Sequence, residues 1–284
     1  RVLCAGPRAA DAASGAPIAL LGARLDLGDG PSARFHVAAY RDAIAAWRAI
    51  AGFQRLGVLK ADRDAAAAEK AERLVAAAIL PGAQLRRVAA KEAEALSGVA
   101  TAGLWLPDAG TISAGETLRG FAADLVVETG ARATAIADHS VGLAEGRRIS
   151  ADAVVIAAGW SDLLLETIPL EARRGQMTAI RPLDDLRAPV SAGHWIAPGA
   201  AATWVGATFD ALDGATDRKA LADDAHARNL RSAAALSPSL ADAEILGGFA
   251  EVRAATPDRQ PFMGRVPRLV ARSDAPPPSL PGIF

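Results

Sequence analysis

The chain has 284 residues, 51% of them hydrophobic and 22% charged, with a formal net charge of −1. That is enough apolar residue for a sizeable core, and it excludes a disordered segment. The near-neutral balance gives no global field for nucleic acid or an anionic membrane, so contact with either would need a local patch. A single cysteine, Cys4, excludes an internal disulfide and fits a reducing compartment, so a cytoplasmic location is expected. The histidines His36, His139, His194 and His226 have no zinc spacing, and no metal site is expected. Apolar runs such as AVVIAAGW are too short to span a bilayer, so no membrane partner is expected.

In chain order, RVLCAG reads as the end of a strand, so the chain is expected to be a fragment cut at its start. RFHVAAYRDAIAAWRAI carries apolar residues at helical spacing, including Phe35, Val37, Ile44 and Trp47. FQRLGVLKA, 53–61, reads as a strand. DRDAAAAEKAERLVAAAIL, 62–80, reads as an amphipathic helix opened by acids and closed by Pro81-Gly82. RRVAAKEAEALSG, 86–98, reads as a short helix, and GLWLPDAGTIS, 103–113, as a strand and turn. The stretch 114–138 predicts a helix, a break at Glu128–Gly130 and a strand. HSVGLAEGRRI then predicts a hairpin turning at Glu145-Gly146.

ADAVVIAAGW, 151–160, is a near-continuous apolar run ending in Gly159, the pattern of a strand buried on both faces of a parallel sheet. With the helix, strand and hairpin before it, it suggests a nucleotide-binding α/β domain with an inserted meander. Beyond 166 the strand-like segments RRGQMTAIRPL, GHWIAP, ATWVGATFD and ILGGFAEVRAAT surround one helical stretch, 217–240. They predict an antiparallel sheet with a crossing helix as a second domain. The proline-rich end, APPPSLPG, reads as a turn or connector.

Three features could carry chemistry. VVIAAGW delivers a glycine at a strand's carboxyl end, where backbone can approach a phosphate, or it is an ordinary buried strand with a glycine turn. Ala13-Ser14-Gly15, after a strand ending at Cys4, could wrap a ribose and diphosphate, although Cys4 stands where an acid normally accepts the ribose hydroxyls. Arg253, between Val252 and Ala254, is either paired with an internal acid such as Asp258 or Glu251 or holds a carboxylate with its planar fork. Trp105, Trp160, Trp195 and Trp204 stand near strand ends and read mainly as core. His194 is a proton shuttle by type only. Ser161-Asp162 reads as a helix N-cap.

The segments ASGAPIALLGARLD, GLWLPDAGTIS, ADAVVIAAGW, RRGQMTAI, GHWIAP…WVGATFD and VRAATPDRQPFMGRVP occur in one order across almost the whole chain. In that order they resemble the FAD-dependent amine oxidoreductases of the D-amino-acid-oxidase/glycine-oxidase superfamily. Within it, the chain is most similar to the FAD domain of the MnmC-type tRNA-modifying enzymes. The resemblance implies an α/β fold with an α+β second domain: a Rossmann-like FAD-binding domain (1–45, 113–165 and 255–284) interleaved with an antiparallel-sheet substrate domain (46–112 and 166–254). The glycine-rich N-terminal βα unit and the C-terminal end of the family pattern are missing, and ASGA replaces ASGN at Ala16.

The resemblance implies FAD as cofactor, with Ala13, Ser14 and Gly15 along it, Ala133 near the adenine, and Ala157, Ala158 and Gly159 near the diphosphate. It implies that Arg253 holds the substrate carboxylate, that Trp195 lines the substrate site, and that Gln176 also binds substrate, in a strand motif with Arg174 and Gly175 that borders the flavin. No side-chain acid or base is implied. The expected reaction removes a carboxymethyl group from carboxymethylaminomethyl-uridine in tRNA and releases glyoxylate. The alternatives are oxidation of free glycine, sarcosine or D-amino acids, and an inactive remnant. The partners implied are tRNA or a small amino acid, and a methyltransferase domain in a full-length protein. The basic pairs Arg86-Arg87 and Arg147-Arg148 could touch tRNA or be solvated surface.

Overall fold

The computed structural model describes residues 1–137, 139–161, 168–212 and 217–265. The chain begins with β1 (Val2–Cys4), makes a 3-10 turn at Ala13–Gly15, and continues through β2 (Ala19–Leu21) into α1 (Pro31–Trp47). This helix starts earlier than its apolar spacing predicts. Gly30 is the N-cap and Pro31 sits in the first turn, where its missing N–H costs nothing.

The stretch expected as one strand over 53–61 is two, β3 (Phe53–Gln54) and β4 (Val58–Ala61), in different sheets. Gly57 separates them with φ +74°, and a Cβ there would meet the Trp105 ring at 2.1 Å. α2 (Ala65–Ala76) is capped by Asp64, whose carboxylate accepts from the Ala67 N–H at 2.7 Å. The segment expected as one helix over 86–98 divides into β5 (Arg86–Val88) and α3 (Ala90–Ser97). β6 (Gly103–Leu106) and β7 (Gly110–Ile112) follow, then α4 (Ala114–Phe121). The expected break at 128–130 is mostly strand: β8 (Val127–Thr129) pairs parallel to β1. β9 (Ala133–Ala137), β10 (Ser140–Leu143) and β11 (Arg148–Ser150) form the meander.

The rest of the chain builds the largest sheet. β12 (Glu171–Ile180), β13 (Val190–Ala192), β14 (His194–Pro198), β15 (Thr203–Gly206) and β16 (Asp210–Ala211) precede α5 (Asp223–Ala234), and β17 (Ile245–Ala255) follows it. These strands join β4, β6 and β5 in one nine-stranded sheet. It is antiparallel except where Val190 and Ser191 of β13 run parallel to Leu59 and Lys60 of β4. The main core lies on this sheet, around the fully buried Leu59, Ile180, Val190, Ile196 and Val205. The architecture is mixed α/β with several sheets, as the residue patterns predict.

The largest departure from the residue patterns lies at 151–160. The run 151–160 forms no strand, and Val155 is 90% exposed. A strand buried on both faces needs hydrogen-bonding neighbours as well as apolar side chains. Among the described residues no strand pairs with this run, although the Ala151 N–H donates to the His139 carbonyl at 2.9 Å. Asp162 and the tail APPPSLPG lie outside the described residues.

Candidate active site

Strand β12 pairs with β17 along its length, with Arg173 opposite Arg253, Gly175 opposite Glu251 and Met177 opposite Phe249. Opposed residues share a face of a sheet. One face therefore carries Arg173, Gly175, Met177, Phe249, Glu251 and Arg253, and continues through Gly206 to Trp195. The segment Ala16–Leu20 packs onto it, with Ile18 against Met177 and Ala197. The opposite face carries Arg174, Gln176 and Thr178 and is covered by α5.

Arg253 is the central group. Its Nη2 donates to the Thr208 carbonyl at 3.1 Å, and its guanidinium carbon lies 5.0 Å from the centroid of the Phe209 ring. Among the described residues, no carboxylate is within ion-pair distance of it. The acids that could have paired with it are engaged elsewhere. Glu251 meets Arg218 at 3.4 Å and accepts from the Val252 N–H at 2.8 Å. Asp258 accepts from the Gln260 N–H at 3.0 Å inside the TPDRQP turn.

Gly175 makes room for the guanidinium: a Cβ there would lie 2.4 Å from Nη2. Burial lowers the Arg253 pKa from its ordinary value, and no acid offsets that loss. Arginine stays charged at neutral pH regardless. A partly desolvated cationic fork without a counter-charge can bind an anion, and its geometry suits a carboxylate. This removes the internal ion-pair reading of Arg253.

The structure separates the other sequence-nominated residues. Gln176 is on the face opposite Arg253, fully buried. Its amide donates to the Ala222 carbonyl and its Oε1 accepts from the Ala222 N–H, both at 2.9 Å, so it ties the start of α5 to the sheet. Trp195 shares the Arg253 face, but its register partners place it three strands across and four residues along from Arg253. That is roughly 14 Å and 13 Å respectively, beyond the reach of a glycine-sized molecule. The indole instead lies over Gly206, where a Cβ would meet it at 3.0 Å.

The Ala13–Gly15 turn packs against β17 and α4, which brings it beside the clamp strand. The same loop is tied down by Lys219, which donates to the Asp11 carbonyl at 2.9 Å. Ala133 sits in a separate small core with Leu3, Leu143 and Val154. Ala157, Ala158 and Gly159 are exposed at the edge of that unit. Gly159 has φ +60° with open space where a Cβ would stand.

The basic pairs are partly committed within the chain. Arg87 makes a two-pronged bond to Asp62 at 3.0 and 2.8 Å, Arg86 meets Glu92 at 2.5 Å, and Arg147 pairs with Glu128 and Glu145.

Sequence reasoning missed Thr208 and Phe209. Both lie just beyond β15, in the loop that Arg253 grips, and Phe209 is 44% exposed. The signal was present in ATFD: a large aromatic placed just after a strand end, followed by an acid. Arg259 also reaches the ring, at 5.8 Å, from a left-handed backbone position in the TPDRQP turn.

The family model described as DAO, FAD dependent oxidoreductase, matches residues 1–277, and the chain belongs to that family.

Two relatives carry the name tRNA 5-methylaminomethyl-2-thiouridine biosynthesis bifunctional protein MnmC. The one from Thiobacillus denitrificans is 30% identical over 90% of this chain and 46% of its own length. The one from Caulobacter sp. is 35% identical over 90% of this chain and 43% of its own. The chain thus spans about half the length of these relatives. Among solved structures, glycine oxidase from Bacillus cereus superposes with a TM-score of 0.74 at 20% identity, covering 94% of this chain and 81% of that one. L-proline dehydrogenase from P. horikoshii gives 0.71 at 17%, covering 87% and 73%.

FAD is the cofactor of this family, and the residues fit it unevenly. The open glycine at 159 and the tight turn at 13–15, where a Cβ on Gly15 would strike the Ala10 carbonyl at 2.1 Å, leave backbone free for close approach. At the ribose position Cys4 offers a thiol that donates to the Arg8 carbonyl at 3.4 Å, where a carboxylate acceptor is usual.

Proposed function

We propose that the chain is the oxidoreductase part of a tRNA-modifying enzyme. It acts on the CH–NH group of carboxymethylaminomethyl-uridine at the wobble position. The α-carbon of the N–CH2–COO⁻ arm gives up a hydride and the nitrogen a proton; water then adds to the resulting C=N bond. Cleavage releases glyoxylate and leaves a primary amine on the uridine. FAD supplies the hydride-accepting chemistry when bound.

The work of this chain is orientation and exclusion of water. Arg253, fixed by Thr208 and given room by Gly175, holds the carboxylate so that the methylene has one allowed position. An apolar surround favours the neutral amine, the form able to release hydride, so no side-chain base is needed. Ala13, Ser14 and Gly15 would run along the cofactor, Ala133 would meet its adenine, and Ala157, Ala158 and Gly159 its diphosphate. Within this reading the stretches 1–45, 113–165 and 255–284 bind FAD, and 46–112 and 166–254 bind substrate. A methyltransferase domain would complete the bifunctional protein.

The observation that carries the reading is the charge of Arg253, which no carboxylate among the described residues compensates. Arg253 is exposed, and a hydrogen bond to a charged group contributes roughly 1.5–3 kcal/mol. Arg253→Ala is therefore expected to lower turnover of the carboxylated amine by roughly ten- to a hundredfold, with flavin absorbance retained. Unchanged turnover would sink the clamp.

A second reading, oxidation of free sarcosine or glycine, is favoured by one observation: most of the basic pairs are occupied by Asp62, Glu92, Glu128 and Glu145. Glyoxylate release from modified tRNA compared with free sarcosine decides between them. A purified chain without flavin absorbance would point instead to an inactive remnant.

A further inference from the structure

The pairing of β12 with β17 sets Arg173 directly opposite Arg253, so two guanidinium groups stand side by side on one face of the sheet. Like charges in opposed positions destabilise a strand pair. A third, Arg259, reaches the same place from the turn after β17. The guanidinium carbons of Arg253, Arg173 and Arg259 lie 5.0, 5.6 and 5.8 Å from the centroid of the Phe209 ring. The ring attracts cations through its quadrupole but has no charge to cancel theirs. Among the described residues the three share one acid, Glu171, whose carboxylate accepts from Arg173 Nε at 3.1 Å. Glu251, on the same face, is taken by Arg218 at 3.4 Å. Two positive charges at this spot are therefore uncompensated among the described residues, in a chain whose formal net charge is −1.

Arg259 is held there by a braced turn. Its N–H donates to the Thr256 carbonyl at 3.0 Å. The Thr256 hydroxyl donates to the Gln260 carbonyl at 2.7 Å, and Asp258 accepts from the Gln260 N–H at 3.0 Å. Gln260 Oε1 lies 3.1 Å from His36 Nε2, which ties the turn to α1. Within the turn Arg259 has φ +59°, a conformation in which glycine is less strained than any side-chain-bearing residue. The turn thus accepts backbone strain at the residue that projects a long cation beside the clamp.

We propose that Arg259 is the second arm of the anion clamp and that the substrate brings two anionic groups, its carboxylate to Arg253 and a phosphate or second carboxylate to Arg259. The inference rests on the carboxylate reading of Arg253 above and extends it. A single carboxylate neutralises one of the two free charges; a second anionic group neutralises the other. On the tRNA reading that group is the phosphate of the nucleotide bearing the carboxymethylaminomethyl arm. Both guanidinium groups border one ring, so their carbons are separated by no more than the sum of their distances to its centroid. One nucleotide bridges such a span from base substituent to phosphate. Arg259 is then a specificity-determining residue that separates a doubly anionic amine from free glycine or sarcosine, which offer one carboxylate.

The test is calorimetric binding to the full chain supplied with FAD. The probes are 5-carboxymethylaminomethyl-uridine against its 5′-monophosphate, and sarcosine against iminodiacetate, each pair differing by one anionic group. The wild type is expected to favour the member with two anionic groups in at least one pair by about fivefold, the upper end for an exposed ion pair. Added salt should shrink that preference. Arg259→Gly suits the left-handed backbone, so its melting temperature should not fall, and it should remove the preference. Arg259→Lys keeps the charge and should retain most of it. Preference for the monophosphate supports both the second arm and the nucleotide reading. Preference for iminodiacetate alone supports the second arm and makes its ligand a carboxylate. Equal affinities within both pairs, or a preference that Arg259→Gly leaves intact, overturn the second arm. The tRNA reading then stands or falls separately, on glyoxylate release from modified tRNA.

Discussion

The strand pair β12–β17 and the run 151–160 are built from similar residues and end in opposite conditions. MTAI and FAEVR alternate or run apolar, and they pair with each other on the nine-stranded sheet, where Met177–Ile180 and Ala250–Val252 are buried. AVVIAAG is at least as apolar, yet it pairs with no described strand and leaves Val155 90% exposed. The difference is not propensity, since β-branched residues suit a strand in both places. It is the supply of partners. A strand edge must find N–H and C=O groups to bond, and an apolar face must find another face. β12 finds β17 on one edge and β15 with β16 on the other, with α5 below.

This contrast can be broken by paired substitutions. Ile196, fully buried in the main core, should lose about 2–5 kcal/mol on change to Ala. Val155→Ala should move stability by no more than about 0.5 kcal/mol. Denaturant melts of both variants check this, and comparable losses would mean that 151–160 is as buried as its composition suggests.

A smaller effect tests the clamp within the well-packed region. Gly175→Ala places a methyl 2.4 Å from Arg253 Nη2 and 3.1 Å from the Thr208 carbonyl. The guanidinium must shift, and a misplaced orienting group costs rate. We expect turnover of a carboxylated amine to fall by roughly tenfold, read as kcat/KM. No change would mean that Arg253 has other room.

The smallest effect is electrostatic and lies on the α5 face of the same sheet. His226 is buried beside Thr178, with Nδ1 2.8 Å from the hydroxyl oxygen, and burial holds its pKa below the ordinary value despite Asp223 nearby. The unfolded chain therefore takes up this proton first as pH falls. Stability is fully present above the unfolded histidine value, about 6.5, and is lost progressively as pH drops below it toward the folded value. Thermal melts at about pH 7.5 and 5.5 should show a drop that His226→Gln reduces. An unreduced drop would assign the loss to other groups.

Much of the site was legible before any coordinates. Arg253 stood out because an arginine inside an apolar strand demands a partner, and the ordered segments made a carboxylate the natural one. The turn at Ala13–Gly15 was visible from its small residues. What misled was reading faces and distances from adjacency. Gln176 is one residue from Gly175 and therefore points the other way, into α5. Trp195 shares the right face but sits three strands off. Phe209 escaped notice because no local pattern says which strand end will meet an arginine 44 residues later in the chain.

The sequence by itself determined the class of most elements, the acidic opening of α2 and the type of group offered to an anion. Those depend on neighbours within a few residues. Only the tertiary structure decided that Arg253 has no acid beside it among the described residues, that Gly175 leaves it room, and that Phe209 lies against it. Alternation along a strand sets which residues share a face, but pairing register and the packing of distant loops set which groups meet. The charge of Arg253 came from its residue type; the lack of a counter-ion among the described residues came from the fold.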